Sequence, residues 1–263
     1  MSGLFYWYWF PIYIIFLRHI FWMIYTIYFH RDITHRSMRV LSHKFEKFCR
    51  IILWLGLSWW PGWKTEAWFL HNFHHQFGDT DIDSNSPRRF TIKQITHINR
   101  IPEEGDAWFV PQEWKDAHPN PYQDFDDLLE NFFKENRYLG IWLVGIVGCI
   151  LFGLMAGFLS GVLWYLLEKY WHPWVVVFMF HGIGTCKAID YTSPNHGPGY
   201  LDTKYAVNYF PIGILHCGEE FHSNHTTRPG GGSFSHRWWE IDLGYFYAKI
   251  FEKFGLLEIK RKH

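Results

Sequence analysis

Two long apolar stretches constrain the fold of this chain more than any other feature of its sequence. A helix that crosses the hydrocarbon core of a bilayer needs about 20 mostly apolar residues. Residues 4–29 reach that length, although Arg18 and His19 interrupt them, and residues 139–189 are long enough for two crossings. We therefore predict an all-α, polytopic membrane protein in which the remaining residues form a helical cap on one side of the bilayer.

The second stretch is expected to form two antiparallel helices. Its glycines favour a turn near Gly157 to Gly161, which gives spans at residues 139–159 and 161–189. Residues 49–63 are too few to cross a bilayer, which needs about 20. We expect this shorter segment to lie in the interface, or to enter the bilayer and return.

Basic residues indicate the orientation. Six follow the first span and three lie at the end of the sequence: Arg31, Arg36, Arg39, Lys44, Lys47 and Arg50, then Lys260, Arg261 and Lys262. Because lysine and arginine are enriched in cytoplasmic loops, both groups should face the cytoplasm. We therefore predict a single domain, residues 1–263, with its N-terminus outside and a cytoplasmic cap made of residues 30–138 and 190–263.

Composition narrows the possible partners. The formal net charge of zero argues against nucleic acid as the main partner. Aromatic residues make up 21% of the chain, and such residues favour the interface between membrane and water. The four cysteines form no CxxC pair, and we expect reduced, mostly buried thiols. The first apolar stretch is too long for the core of a signal peptide, so no cleavable signal is expected.

Three clusters of histidine lie just outside the apolar segments. They contain His30 and His35, then His71, His74 and His75, then His222 and His225. An imidazole is a good ligand for iron, zinc, copper and nickel. Because the membrane plan puts all three clusters on the same side, we predict that they form a shared metal site in the cap.

The spacing within the clusters supports this prediction unevenly. Histidines three or four residues apart lie on one face of a helix, as His71, His74 and His75 do, and the third cluster repeats the offset of three. His30 and His35 are five apart, and on an α-helix their side chains diverge by about 140°. This pair converges only if it flanks a helix end.

Carboxylates accompany the histidines. Asp79 and Asp83 follow the second cluster, and Glu219 precedes the third. Metal-bound histidines usually donate their second ring N–H to a carboxylate or carbonyl, so these acids are candidates for that role. The alternative is a solvated acidic loop.

These motifs resemble those of the integral-membrane fatty acid desaturases of the acyl-CoA desaturase type. The family's HRxxxHR box is similar to His30-Arg31 and His35-Arg36, and its later boxes are similar to HNFHHQFGDTDIDSNSP and GEEFHSNHT. The likeness continues through SFSHRWWEIDLGYFYAKIFEKFGLLEIKRK. It implies a membrane enzyme with two iron ions (Fe²⁺), which uses O2 and two electrons to remove two hydrogens from an acyl chain. The substrate would be an acyl-CoA or acyl-lipid, and a separate ferredoxin, rubredoxin or b-type cytochrome would supply electrons.

Two positions depart from the family pattern. The third box of the family ends in paired histidines, whereas this chain has Thr226. The family's Asn-Gly-x-Gly-His element reads His181-Gly-Ile-Gly-Thr185 here, so threonine replaces a ligand and histidine replaces asparagine. The resemblance therefore implies a weakened second iron, with His181 or His216 as a replacement ligand.

Two other functions remain compatible with the sequence. A related di-iron membrane hydroxylase, ketolase or alkane monooxygenase uses the same three-box pattern. The two threonines also fit a catalytically degenerate protein that binds metal or lipid.

Overall fold

The computed structural model describes residues 3–58, 63–96, 102–183, 190–191, 205–209 and 216–261. Its α-helices are α1 (Phe10–Ile24), α2 (His43–Leu57), α3 (Trp63–Phe77), α4 (Ile92–Thr96), α5 (Gln112–Ala117), α6 (Leu128–Glu135), α7 (Leu139–Phe152), α8 (Leu154–Leu166), α9 (His222–Thr227) and α10 (Leu243–Lys253). Four short strands are β1 (Met38–Val40), β2 (Asp190–Tyr191), β3 (Asn208–Tyr209) and β4 (Leu257–Ile259). The predicted helical class is confirmed, with two small antiparallel sheets in addition.

Helix α1 continues without a break into a π-helix, Tyr25–Thr34. Pro11 lies in its first turn, where a missing N–H costs no helical hydrogen bond. One face of α1 exposes Ile12, Ile15 and Phe16, and the other buries Phe21 and Trp22 in the core. Among the described residues, the helix Trp7–Thr34 alone combines the length and apolar character needed to cross a membrane.

The next apolar hairpin turns earlier than the sequence predicts. The chain reverses between α7 and α8 at Gly153, where φ is +90°. The predicted turn at Gly157 to Gly161 is wrong because these glycines lie inside α8. There the Cβ of a larger residue at Gly157 would lie 2.1 Å from the backbone N of Cys149. The glycines thus allow close helix packing, as small residues do between membrane helices.

The two helices of this hairpin are short. Helices α7 and α8 have 14 and 13 residues, about 20 Å each, against about 30 Å for a bilayer core. Helix α8 is extended by π-helical turns at Leu167–Trp171 and Trp174–Phe178 and by a 3-10 turn that ends at His181. Residues 184–189 of the predicted third span lie outside the described residues. The multi-pass plan therefore stays a prediction.

The segment expected at the interface is part of α2, which begins at His43 after a cap by Ser42. Arg50 of α2 is buried and donates to both carboxylate oxygens of Asp127, at 2.7 and 2.8 Å, and to Glu130 at 2.8 Å. Glu130 also accepts from the Trp63 indole at 2.9 Å. This buried network joins α2 and α3 to α6.

The C-terminal residues close over the first histidine cluster. Strand β4 pairs with β1, with Met38 opposite Ile259. Arg31 is completely buried and donates to both oxygens of Asp242 at 2.9 and 3.0 Å. The π-helix that follows α1, and β1 after it, are therefore held by residues more than 200 positions away.

Candidate metal centre

The first histidine cluster converges because of the π-helix that carries it. A π-helix has i→i+5 hydrogen bonds, and the backbone N–H of His35 donates to the carbonyl of His30 at 3.1 Å. Residues five apart then lie above one another, and the two Nε2 atoms are 3.2 Å apart. The spacing that would separate these imidazoles on an α-helix instead places them together.

Five imidazoles form the first group. They are His30, His35, His71, His75 and His225, and their candidate ligand atoms all lie within 4.8 Å of one another. The Nε2 atom of His71 lies 2.9 Å from that of His30, 2.7 Å from that of His35 and 3.0 Å from that of His75. One ring nitrogen carries either a single proton or a single lone pair, so it cannot satisfy three such neighbours.

A metal ion would satisfy this arrangement. Two imidazole nitrogens that each lie about 2.1 Å from one ion, at right angles, are about 3.0 Å apart. The observed separations of 2.7 to 3.2 Å fit that value. The chemistry of the donors fits a borderline transition metal.

A second group of three imidazoles adjoins the first. His74, His181 and His222 also have candidate ligand atoms within 4.8 Å of one another, and the Nε2 atoms of His181 and His222 are 3.1 Å apart. The His74 and His75 rings are 5.8 Å apart between centroids, and so are those of His222 and His225. Two neighbouring metal positions are therefore possible, with unequal numbers of imidazoles.

The three predicted carboxylates lie behind the histidines. Asp83 Oδ2 is 2.9 Å from His74 Nδ1, Asp79 Oδ2 is 2.8 Å from His181 Nδ1, and Glu219 Oε2 is 2.6 Å from His30 Nδ1. Asp83 also accepts from the backbone N–H of Asp79 at 2.9 Å, so the two loop carboxylates are tied together. Each carboxylate holds one ring so that its Nε2 faces the group, the usual arrangement around metal-bound histidine.

Burial keeps most of these imidazoles neutral. It lowers the pKa of His35, His71, His75, His222 and His225 well below 6.5, and the neighbouring imidazoles add to the shift. His74 differs: burial lowers its pKa, but the charge and hydrogen bond of Asp83 outweigh that effect and leave the pKa raised. Burial raises the pKa of Glu219, and His30 and Arg31 more than offset it. Neutral imidazole is the form that binds metal.

The two candidate replacement ligands have different positions. His181 is a member of the second group, whereas His216 belongs to neither group found among the described residues. The His216 ring packs edge-on against Trp22, with centroids 4.7 Å apart. Thr226 donates its hydroxyl to the carbonyl of His222 at 2.9 Å, within its own helix. Thr185 lies outside the described residues.

Sequence reasoning missed the buried partner of Arg31. Asp242 lies 211 residues away from it, and its only local signal is its position as the cap of α10, where it accepts from the backbone N–H of Tyr245. A cap is normally read as a helix-start signal. No local sequence pattern predicts that Asp242 pairs with Arg31, the residue next to His30.

Replacing Asp83 with asparagine should weaken metal binding by about 10- to 100-fold, because supporting carboxylates of metal-bound histidines contribute on that scale. Asp81→Asn is the matched control, since Asp81 is an exposed carboxylate of the same loop. Chelator competition, followed by metal analysis of the purified protein, measures the difference. Equal metal retention by the two variants would contradict this role for Asp83.

Comparison with known proteins identifies relatives along most of the chain, although no family model matches it. It is 24% identical over 233 residues to an acyl-CoA 5-desaturase of Anemone leveillei. The aligned region covers 88% of this chain and 65% of that protein. It is 25% identical over 245 residues to a hex-5-enoyl-[acyl-carrier protein] acetylenase of Moorena producens, with 87% and 69% covered. It is also 21% identical over 235 residues to the Delta-9 acyl-lipid desaturase 1 of Arabidopsis thaliana, with 88% and 68% covered.

The chain thus spans about two thirds of the length of the curated relatives that it matches. Their names agree on one kind of oxidoreductase, and the aligned region includes most of the described residues. The resemblance seen in the histidine boxes is confirmed by these relatives. The chain is therefore similar, over most of its length, to acyl-CoA and acyl-lipid desaturases.

Proposed function

We propose that this protein is an oxygen-dependent fatty acyl desaturase that works with two iron ions held by histidine. The observation that carries the proposal is the pair of adjoining imidazole groups, one of five and one of three among the described residues, at the end of the apolar helix Trp7–Thr34. The names of the relatives support the choice of acyl-chain chemistry.

The residues present fit such a centre. His30, His35, His71, His75 and His225 would hold one iron, and His74, His181 and His222 would hold the other. Bound iron would supply the activation of O2 for hydrogen removal, while the protein supplies orientation and exclusion of water. Glu219, Asp79 and Asp83 would orient the imidazoles that hold the ions.

The smaller group also supports a specific form of the proposal. Among the described residues the second ion would have three imidazole ligands against five for the first, which would leave more of its coordination positions open. His216 has no place in this assignment, because its ring packs against Trp22 and Phe180. The second iron should therefore bind more weakly than the first.

The substrate and partners follow from the family and from the membrane plan. We infer an acyl-CoA or acyl-lipid substrate, O2, and a separate electron donor such as ferredoxin, rubredoxin or a b-type cytochrome. The basic residues around α2 and at the C-terminus support a multi-pass protein with its active site on the cytoplasmic side.

Labelling of single cysteines tests this topology. Reagent added from outside the cell should reach a cysteine at position 2 and should not reach one at position 262. Positive-inside orientation is the physical reason, since both basic groups are expected to remain in the cytoplasm. Labelling of both positions from one side would show that the plan is wrong.

Expression in a host of known lipid composition tests the activity. Wild-type protein should add one unsaturated fatty acid that is absent from cells expressing His71→Ala, because His71 contacts three other imidazoles of the first group. Gas chromatography with mass spectrometry locates the new double bond.

The same experiment separates the alternatives. A hydroxylated or oxo product would support the hydroxylase or ketolase reading instead. No product, together with less than one metal ion per chain, would favour a protein that has lost catalysis.

A further inference from the structure

The last helix carries an apolar stripe on its exposed side. Phe246 and Ile250 of α10 and Phe254, which caps the end of the helix, follow one another at intervals of four residues, so they lie along one face. Phe254 is 74% exposed, and Phe246 is 53% exposed. Just before the helix, Trp238 is 95% exposed and Ile241 53%. These five residues, here called the C-terminal stripe, present apolar surface that needs a partner.

Helix α10, which carries most of the C-terminal stripe, packs beside α1. Tyr247 of α10 bonds through its hydroxyl to the Nε2 atom of His19, at 2.8 Å. His19 lies 11 residues before His30, about 16 Å along the helix axis. On the proposed membrane plan, α10 is therefore beside the part of α1 that is inside the bilayer. Ile12, Ile15 and Phe16 of α1 are exposed as well.

Lysines accompany the stripe. Lys249 and Lys253 each follow a stripe residue by three positions, so both lie along its edge. Both are exposed, and Lys249 Nζ is 5.4 Å from the centroid of the Tyr245 ring. Long basic side chains at such positions extend to lipid phosphates while their stems cover apolar surface.

We propose that the C-terminal stripe is inserted among the acyl chains of the cytoplasmic leaflet, with the bilayer as its partner. The proposal rests on the membrane location within the proposed function. It revises the expectation that residues 190–263 belong wholly to an aqueous cap. An apolar face with lysines on its edge is typical of a helix that lies in the plane of the membrane surface.

This contact has a consequence for the metal centre. Asp242 caps α10 and is also the buried partner of Arg31, which follows His30 directly. Contact between α10 and the bilayer therefore helps to position the first histidine cluster, because Asp242 at the start of α10 pairs with Arg31. Removing lipid should loosen residues 238–254.

Site-directed fluorescence in nanodiscs tests the proposal on the full chain. An environment-sensitive dye is attached to Phe254→Cys or Ile250→Cys, and to Glu258→Cys as an exposed polar control in β4. The wild-type chain, labelled in parallel, corrects for its own four cysteines. Nanodiscs of phosphatidylcholine and phosphatidylglycerol with brominated acyl chains then supply the quencher.

Dyes at positions 250 and 254 should lose more than half of their fluorescence and shift to the blue, whereas the dye at position 258 should change little. Equal, weak quenching at all three positions would overturn the proposal. A blue shift without quenching by bromine would also overturn it, because it would show that a second copy or another protein covers the stripe. Metal content and product formation are measured on the same samples, so a failed activity assay with normal quenching would count against the proposed function alone.

Hydrogen exchange gives a second readout that needs no label. Residues 238–254 of the wild-type chain should exchange more slowly in nanodiscs than in detergent, and Phe246→Asp with Phe254→Asp should remove that protection. Both positions are exposed, so the fold should tolerate the change. Protection that is unchanged in this double variant would contradict insertion.

Discussion

Replacing His181 with alanine should reduce the iron content of the protein from two ions per chain to one and abolish product formation. His181 Nε2 is 3.1 Å from His222 Nε2, and its Nδ1 is held by Asp79 at 2.8 Å. In the described part of the chain this group has three imidazoles, so the loss of His181 leaves two. The affinity for the second ion should fall by more than about 10- to 100-fold, which is the loss that removal of a supporting residue causes. Metal analysis of the purified protein and fatty acid analysis of the host measure both results.

His216→Ala is the matched control, because this histidine is also buried but packs against Trp22. It should keep both ions. Two ions retained in His181→Ala would contradict the assignment. A sharper test restores the family pattern with His181→Asn and Thr185→His together: we expect the second ion to return in this double variant and to remain absent from His181→Asn alone.

Removing the carboxylate charge of Asp242 should destabilise the protein by about 3–5 kcal/mol, the typical cost when a buried charge loses its partner. Asp242 accepts two bonds from Arg31, at 2.9 and 3.0 Å, and one at 2.8 Å from the backbone N–H of Phe234. The guanidinium is completely buried, so water cannot replace the lost carboxylate. Thermal unfolding of Asp242→Asn in nanodiscs should show the loss.

Two variants check the cause of that loss. Asp126→Asn, at an exposed carboxylate, should change stability by no more than about 0.5 kcal/mol. Arg31→Met combined with Asp242→Leu should be milder than Asp242→Asn, because a buried ion pair can be exchanged for apolar residues at little cost. Equal destabilisation by Asp242→Asn and Asp126→Asn would show that the ion pair contributes little.

The sequence determined the parts of this protein that depend on local pattern. Apolar length predicted a candidate membrane helix around α1, and the offsets of three and four brought His71, His74 and His75 to one face. The position of acids near the boxes predicted that Asp79, Asp83 and Glu219 would support histidines, and each contacts one. These features depend on residues close together in the chain, so their spacing carries the information.

Only the tertiary structure decided which histidines belong together. The five-residue spacing brings the imidazoles of His30 and His35 together because Tyr25–Thr34 is a π-helix. Spacing alone does not specify that backbone hydrogen-bond pattern. The turn lies at Gly153 and not at Gly157 to Gly161, because the later glycines lie where α8 packs closely against α7.

The division into five and three imidazoles, and the choice of His181 over His216, depend on contacts between distant segments. His181 meets His222 across 41 residues and Asp79 across 102. His216 has the same two ring nitrogens as His181, but its ring packs against Trp22. A sequence records that a histidine is present, whereas the direction of its ring is set by the side chains packed around it, and these come together only when the chain folds.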